Sequence, residues 1–176
     1  MTTPRLTRYD RSMLQLLNDR RGLPLYATAT RRRLVVGAHL VLTAVIGGLM
    51  VHSCLGAGEP VWPFVAVAVL LLPWMVATGA INAATRGLLE LRERALDERQ
   101  SADRSRVQAR AHRAMTLLLA ATAVGLLVAG AAGGKAPTAY AAPVVVAVLA
   151  VHWLMPLWVA GLMAQDEPAD SEGLAA

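Results

Sequence analysis

Among the polar side chains inside the long uncharged stretches of the sequence, four are the best placed to do chemistry: His39, Thr78, Asn82 and His152. A polar group in such surroundings is energetically costly unless it bonds to another group. Polar residues inside a membrane therefore often mark functional sites. Histidine titrates near neutral pH, so a pair of histidines could relay protons or bind a metal ion. A two-histidine metal site would also need a carboxylate or thiolate close by, and neither histidine has one at its level. We therefore expect no metal ion and no other cofactor.

Depth within the uncharged stretches decides which of these side chains can meet. Counted from the predicted cytoplasmic end of each stretch at ~1.5 Å per residue, His39 lies ~9 Å deep, Thr78 ~12 Å deep and His152 ~18 Å deep. His39 and Thr78 thus share a level, whereas the two histidines do not. We expect each histidine to bond to a neighbouring hydroxyl or carbonyl group and to stabilise helix packing by roughly 0.5–1 kcal/mol. A proton relay is the alternative.

These residues belong to four windows without a charged residue: 34–58, 60–85, 114–134 and 136–165. A helix rises ~1.5 Å per residue, so ~20 apolar residues cross the ~30 Å hydrocarbon core of a bilayer. Backbone groups in lipid must bond internally, which favours a helix in each window. The chain is also 56% hydrophobic and only 16% charged. We predict an all-α integral membrane protein, a four-helix bundle with a cytoplasmic helical hairpin between helices two and three.

Basic residues are distributed asymmetrically around these windows. Eight lie in residues 1–33, eight in residues 86–113, and one, Lys135, lies between the last two windows. Basic residues beside spans stay on the cytoplasmic side. Both termini and the central loop are therefore predicted to be cytoplasmic. Sixteen arginines against one lysine, with abundant alanine, suggest a bacterial genome of high GC content, so we expect the bacterial cytoplasmic (inner) membrane. The predicted order is a basic N-terminal arm (1–33), transmembrane helices at 34–56 and 61–85, the charged helical hairpin (86–113), transmembrane helices at 114–133 and 139–164, and an acidic disordered tail (165–176).

The predicted hairpin, residues 86–113, needs a turn. A single helix of this length would end ~40 Å from the bilayer and could not return to it at Ala114. The turn is expected at residues 100–103, with helices two and three each extending by about three to four turns and packing on each other. An apolar seam at helical spacing runs along the first arm and should be covered by a partner. It consists of Leu88, Leu91 and Ala95.

The same segment carries eight arginines and five acidic residues, a net charge of +3. Surfaces that follow nucleic-acid phosphates usually concentrate positive charge on one face, and no aromatic residue is present here to stack on bases. We therefore expect no nucleic-acid partner. Anionic headgroups of the lipid bilayer are the expected partner of the arginines beside the spans. These are Arg31, Arg32, Arg33, Arg86 and Arg113.

Part of the hairpin has a family likeness. The string Ala95-Leu96-Asp97-Glu98-Arg99-Gln100 is followed at helical spacing by Arg106, Arg110 and Ala111. It resembles the cytoplasmic L-D-E-R-Q-type loop of small uncharacterised bacterial, especially actinobacterial, multi-pass membrane proteins. The likeness covers about 20 of 176 residues. It implies no activity, so no functional residue is transferred from it.

Small residues recur every four positions in two windows. The candidate packing residues are Gly48 in the first window and Ala121, Gly125, Ala129 and Gly133 in the third. Such spacing lets helix backbones approach closely. We expect contact within the bundle, with self-association as the alternative.

Three classes of function are left to weigh. The sequence has no recognisable nucleophile, carboxylate pair, metal cluster or phosphate loop, so we do not expect an enzyme. It favours a non-enzymatic scaffold or accessory subunit that binds a protein partner through the hairpin. The alternative is a small oligomeric transporter or pore that uses His39 and His152 in its pathway.

Overall fold

The computed structural model describes residues 7–9, 12, 15, 23–55, 61–91, 96, 98–131 and 138–164. Within these ranges the elements are helices, α1 (Leu23–Tyr26), α2 (Ala29–Leu55), α3 (Trp62–Ala84), α4 (Glu98–Ala131) and α5 (Thr138–Met163). Each of α2 to α5 is long and apolar enough to cross a membrane. The prediction of an all-α chain with four such helices is confirmed. The acidic tail, Ala95 and Gly133 lie outside the described residues.

The start of α2 is set by a capping residue. Thr28 Oγ1 accepts a hydrogen bond of 3.3 Å from the Arg31 backbone N–H. A threonine at this position satisfies one of the backbone donors that a helix start leaves without a partner. The helix therefore begins before the uncharged window and includes all three arginines at positions 31–33 in its first turns.

The end of α3 comes earlier than the sequence predicts. Gly87 N donates to Asn82 O at 3.0 Å, and Arg86 N donates to Ala83 O at 3.0 Å. This pair of bonds is the Schellman motif, in which the residue after the C-cap adopts a left-handed conformation. That residue is Arg86, at φ 51°, and Gly87 follows at φ 68°. The chain leaves the helix axis here, so the predicted extension of the second spanning helix is wrong.

The other predicted arm of the hairpin exists as part of α4. This helix is continuous from Glu98 to Ala131, so the turn predicted at residues 100–103 is wrong as well. Residues 98–113, which we call the α4 extension, precede the uncharged window and form ~24 Å of helix. Three apolar residues of α4 at four-residue spacing are buried: Val107, Ala111 and Met115. One face of the extension is therefore turned toward the rest of the chain.

Three of the long helices share a core. α2, α3 and α5 pack on one another, and α4 packs along α5. The centre of the core is a cluster of Val36, Ile81, Leu157 and Trp158, with Leu89 and four other apolar residues packed against it. Only 6% of the apolar window of α4 is buried, against 22% for α5. α4 is thus a flanking helix with most of its span facing outward.

Among the described helical glycines, the one with the least space around it is absent from the small-residue pattern. A Cβ added to Gly161 of α5 would lie 2.9 Å from methyl carbons of both Ile81 and Val36. By contrast, Gly48 and Gly125 have nothing within 4 Å of such a Cβ.

The small-residue stripe itself faces outward. Four of its members are exposed, namely Gly48, Ala121, Gly125 and Ala129. The expected contact within the bundle is therefore wrong for these four. Spacing identifies a smooth face of a helix, but it does not say which way that face turns.

Candidate functional site

One imidazole is fully buried where α2, α3 and α5 meet. His39 of α2 has 0% of its surface exposed. Its Nε2 lies 2.8 Å from Thr78 Oγ1 of α3. Its Nδ1 accepts a hydrogen bond of 2.8 Å from Trp158 Nε1 of α5. A single side chain therefore ties three helices together.

Two threonine hydroxyls complete this cluster. Thr43 Oγ1 donates to His39 O at 2.8 Å and accepts from Trp74 Nε1 at 2.9 Å. Thr78 Oγ1 donates to Trp74 O at 2.9 Å. Each hydroxyl hydrogen is used on the carbonyl four residues earlier in its own helix, so each oxygen is left to accept from another side chain. We call His39, Thr43, Trp74, Thr78 and Trp158 the histidine junction.

The junction determines the tautomer of the His39 ring. Because Thr78 gives its hydrogen to Trp74 O, its oxygen must accept from His39 Nε2–H. Nδ1 carries no hydrogen, because it accepts from the Trp158 indole. Both nitrogens of the neutral ring are thus engaged, and a proton added at Nδ1 would face the indole N–H. This arrangement suits a structural joint better than a proton relay.

Ring contacts surround the same imidazole. The His39 ring centroid lies 4.8 Å from that of Trp74 with the planes at 35°, and 6.0 Å from that of Trp158 with the planes at 69°. The second contact is edge-on, a favoured geometry for aromatic pairs. The junction therefore combines polar and dispersion contacts in one buried volume.

Counting residues from the predicted cytoplasmic end indicates that His39 and Thr78 lie at one level, and the structure places them in contact. Thr43, Trp74 and Trp158 are not among the candidate residues of the sequence analysis, although Trp158 could have been found. It lies six residues before Ala164, the first residue after α5, which is ~9 Å along a helix and thus the level of His39. The same count, applied to the fourth window, would have found it.

The other two candidate polar residues lie elsewhere. His152 is exposed on α5, and its neighbour Trp153 is 77% exposed. The structure therefore does not bring His152 to His39. Asn82, near the end of α3, donates from Nδ2 to Glu90 Oε1 over a long 3.5 Å. Its Oδ1 is buried and has no hydrogen-bond partner among the described residues.

One residue of the predicted partner seam, Leu91, is covered by the chain itself. Leu91 is only 3% exposed, and Leu89 packs against the core cluster. Arg104 Nη1 of the α4 extension donates to Leu91 O at 3.0 Å, which holds the turn against α4. Leu88 is half-buried. A seam that includes Leu91 is therefore not open to a partner, because α3 ends early and its following turn folds back.

A polar pocket lies between this turn and the α4 extension. It has a volume of about 420 Å³ and is lined by Leu89, Glu90, Leu91, Ser101, Arg104, Ser105 and Gln108. The four lining residues from α4 follow the spacing i, i+3, i+4, i+7, which places them on one helix face. We call this the α3–α4 pocket. Sequence reasoning missed it, although the serine, arginine and glutamine spacing was visible.

The candidate headgroup arginines divide into two groups. Arg31, Arg33, Arg86 and Arg113 are exposed. Arg32 is only 6% exposed and donates to Ala164 O at 2.8 Å and to Tyr26 O at 3.2 Å. Its guanidinium therefore caps the end of α5, where a cation also interacts favourably with the helix dipole. Headgroup contact requires a surface position, so this prediction is wrong for Arg32.

Comparison with known proteins adds no relative. No protein-family model, no curated protein and no solved structure matches the chain. Among the described residues, no group of three His, Cys, Asp or Glu side chains could hold a metal ion. The geometry of the junction, the pocket and the helix surfaces therefore carries the functional argument.

Proposed function

We propose that the chain is a non-enzymatic scaffold or accessory subunit of the bacterial cytoplasmic membrane. Both termini and the α4 extension lie on the cytoplasmic side, and the extension binds a protein partner. The asymmetric distribution of arginine supports this orientation, because sixteen of the seventeen basic residues fall at one predicted side.

The proposal rests on how the α4 extension is held. Its buried face includes Val107, at 1% exposure, and Ala111, at 4%. Arg104 fixes its first turns to the loop after α3. The other sides of the extension, with Arg106, Arg110 and other polar residues, are exposed. The charged surface thus lies on a helix that is already folded and held in place. A partner that binds it does not have to order it first, which lowers the entropic cost of binding.

The state of the junction supports a fixed anchor rather than a pathway. Both nitrogens of His39 and both threonine hydroxyls bond to other groups of the same cluster. A transport pathway needs polar groups that exchange partners with the cargo, as proton relays do. We therefore place the scaffold ahead of a transporter that uses His39 and His152.

Site-specific photo-crosslinking in native membranes tests this proposal. Arg106 and Arg110 are each replaced by a photo-crosslinking phenylalanine analogue, and Val124, exposed on the span of the same helix, is the matched control. We expect a discrete protein adduct from positions 106 and 110, and none of the same mass from position 124.

The mass of the adduct decides between partners. An adduct near twice the 18.6 kDa of the chain indicates self-association, whereas another mass identifies a different subunit by mass spectrometry. If neither extension position yields a protein adduct while all three variants insert and fold, the scaffold proposal is wrong.

A further inference from the structure

The α3–α4 pocket contains polar groups that make few hydrogen bonds to the described residues. Five of the seven described residues that line it have polar side chains. Arg104 makes one hydrogen bond among the described residues, through Nη1 to Leu91 O. A guanidinium carries five N–H donors, so four of them make no hydrogen bond to the described residues. The Ser101 hydroxyl and the Gln108 amide likewise make no side-chain hydrogen bond within the part of the chain described.

An acidic group lines the same pocket. Glu90 accepts one long hydrogen bond at Oε1, 3.5 Å from Asn82 Nδ2. Its Oε2 has no partner among the described residues. Glu90 and Arg104 line one cavity, yet no ion pair within 4.0 Å joins them among the residues described. The pocket thus offers a cationic group and an anionic group that remain apart.

The opposite charges of Arg104 and Glu90 indicate which charges a ligand of this pocket should carry. An oxyanion is recognised by an arginine fork and a neighbouring hydroxyl, which Arg104 and Ser101 supply. A simple anion would leave the Glu90 carboxylate facing like charge, whereas an ammonium group would bond to it. The volume of about 420 Å³ accommodates a small molecule together with water.

We infer that the α3–α4 pocket binds an aminoalkyl phosphate, with its phosphate on Arg104 and Ser101 and its ammonium group on Glu90. Phosphate suits the site better than carboxylate, because its additional oxygens can accept from the guanidinium and from a hydroxyl at the same time. This binding does not depend on the protein partner proposed above.

Two sources share this chemistry. One is the headgroup of an ethanolamine phospholipid, since the turn that lines the pocket directly follows the end of α3 at Ala84. The other is a free ester such as O-phosphoethanolamine, since Ser101 and Arg104 precede the uncharged window by ten residues or more. The experiment below separates the two.

The test is calorimetric titration of the purified full-length chain in nanodiscs of phosphatidylcholine. The probes are O-phosphoethanolamine, inorganic phosphate, ethanolamine and β-alanine. We expect saturable binding of O-phosphoethanolamine with a Kd at least about tenfold below that of each other probe, as the loss of one charged contact implies. No saturable binding of O-phosphoethanolamine, or equal binding of β-alanine, would overturn the inference.

Three variants assign the groups. Arg104→Gln should raise the Kd for O-phosphoethanolamine at least about tenfold. Glu90→Gln should remove the preference for O-phosphoethanolamine over inorganic phosphate. Arg106→Gln is the matched control, because Arg106 lies on the same helix outside the pocket, where it pairs with Asp103 at 2.9 Å; its Kd should stay unchanged.

Arg104→Gln also removes the bond to Leu91 O and could alter the local structure. A further variant that keeps this bond is therefore needed. Ser101→Leu removes the hydroxyl and places an apolar side chain in the pocket, and it leaves that bond in place. It should abolish binding while thermal unfolding stays at the parent value. Binding that survives Ser101→Leu overturns the inference, whatever Arg104→Gln does.

Nanodiscs that contain phosphatidylethanolamine identify the source. If this lipid occupies the pocket, it should raise the apparent Kd for the free ester in the parent chain but not in Glu90→Gln. If the free ester is the ligand, its Kd should be the same in both lipid compositions. Either result supports the pocket chemistry, and an equal lipid effect in the parent and in Glu90→Gln contradicts it.

Discussion

Polar groups are arranged differently in the histidine junction and in the α3–α4 pocket. In the junction, both nitrogens of His39 and both indole N–H groups bond within the cluster. In the pocket, Arg104 makes one hydrogen bond and Glu90 accepts one at 3.5 Å. The junction lies within helices able to span a membrane, where an unbonded polar group is costly. The pocket lies beyond the end of α3, where water can satisfy groups until a ligand replaces it.

The first prediction tests whether the closed cluster stabilises the bundle. His39→Ala removes two side-chain hydrogen bonds and leaves a void among three helices. We expect a loss of about 3 kcal/mol in the free energy of unfolding, from the void and from donors left without partners. Unfolding in mixed micelles, followed by circular dichroism, measures it.

His152→Ala is the control for that measurement, because His152 is exposed on α5. Its effect should stay below about 0.5 kcal/mol, as for most surface substitutions. Equal losses from the two variants would mean that the junction does not hold the helices together.

A second prediction concerns the contact beside the junction. Gly161→Ala places a Cβ 2.9 Å from methyl carbons of Ile81 and Val36, and neither neighbour can move without disturbing the core. We expect a destabilisation of about 2 kcal/mol from overpacking. Gly125→Ala, with nothing within 4 Å of its Cβ, should not destabilise the bundle. The melting temperature of Gly161→Ala should therefore lie below that of Gly125→Ala. The reverse order would contradict the close packing around Gly161.

The third and smallest effect lies on the pocket side and has the opposite sign. Arg86 occupies the left-handed position after α3 at φ 51°, where glycine has no steric cost. Arg86→Gly should therefore raise the free energy of unfolding by about 1 kcal/mol. Arg86→Ala keeps the strain and should give no such gain. If both variants lose stability equally, the contacts of the Arg86 side chain outweigh the strain of its backbone.

Much of this fold could be predicted from the sequence, because the length and the average hydrophobicity of a segment decide whether it can span a bilayer. Four uncharged windows predict four long helices, and the described residues contain four. The level of His39 and Thr78 also follows from counting residues along two windows. Both predictions use position along the helix axis, which the sequence gives directly.

Rotation about the helix axis could not be predicted. An apolar helix without a polar face has no pattern that says which side is buried. For this reason the spacing predicts contact within the bundle for the stripe around Gly125, with self-association as the alternative, whereas Gly161 makes the close contact. The early end of α3 was missed for a local reason, since an arginine rather than a glycine takes the left-handed position and the glycine follows it.

The bonds of the first long helix set an order for biogenesis. His39 leaves the ribosome 119 residues before Trp158, and Arg32 leaves it 132 residues before Ala164. At ~5–20 residues per second, the imidazole waits roughly 6–24 s for its indole. Thr78 arrives only 39 residues after it. The α2–α3 contact can therefore form before the final helix is made, and the arrival of that helix supplies the partners of both His39 and Arg32.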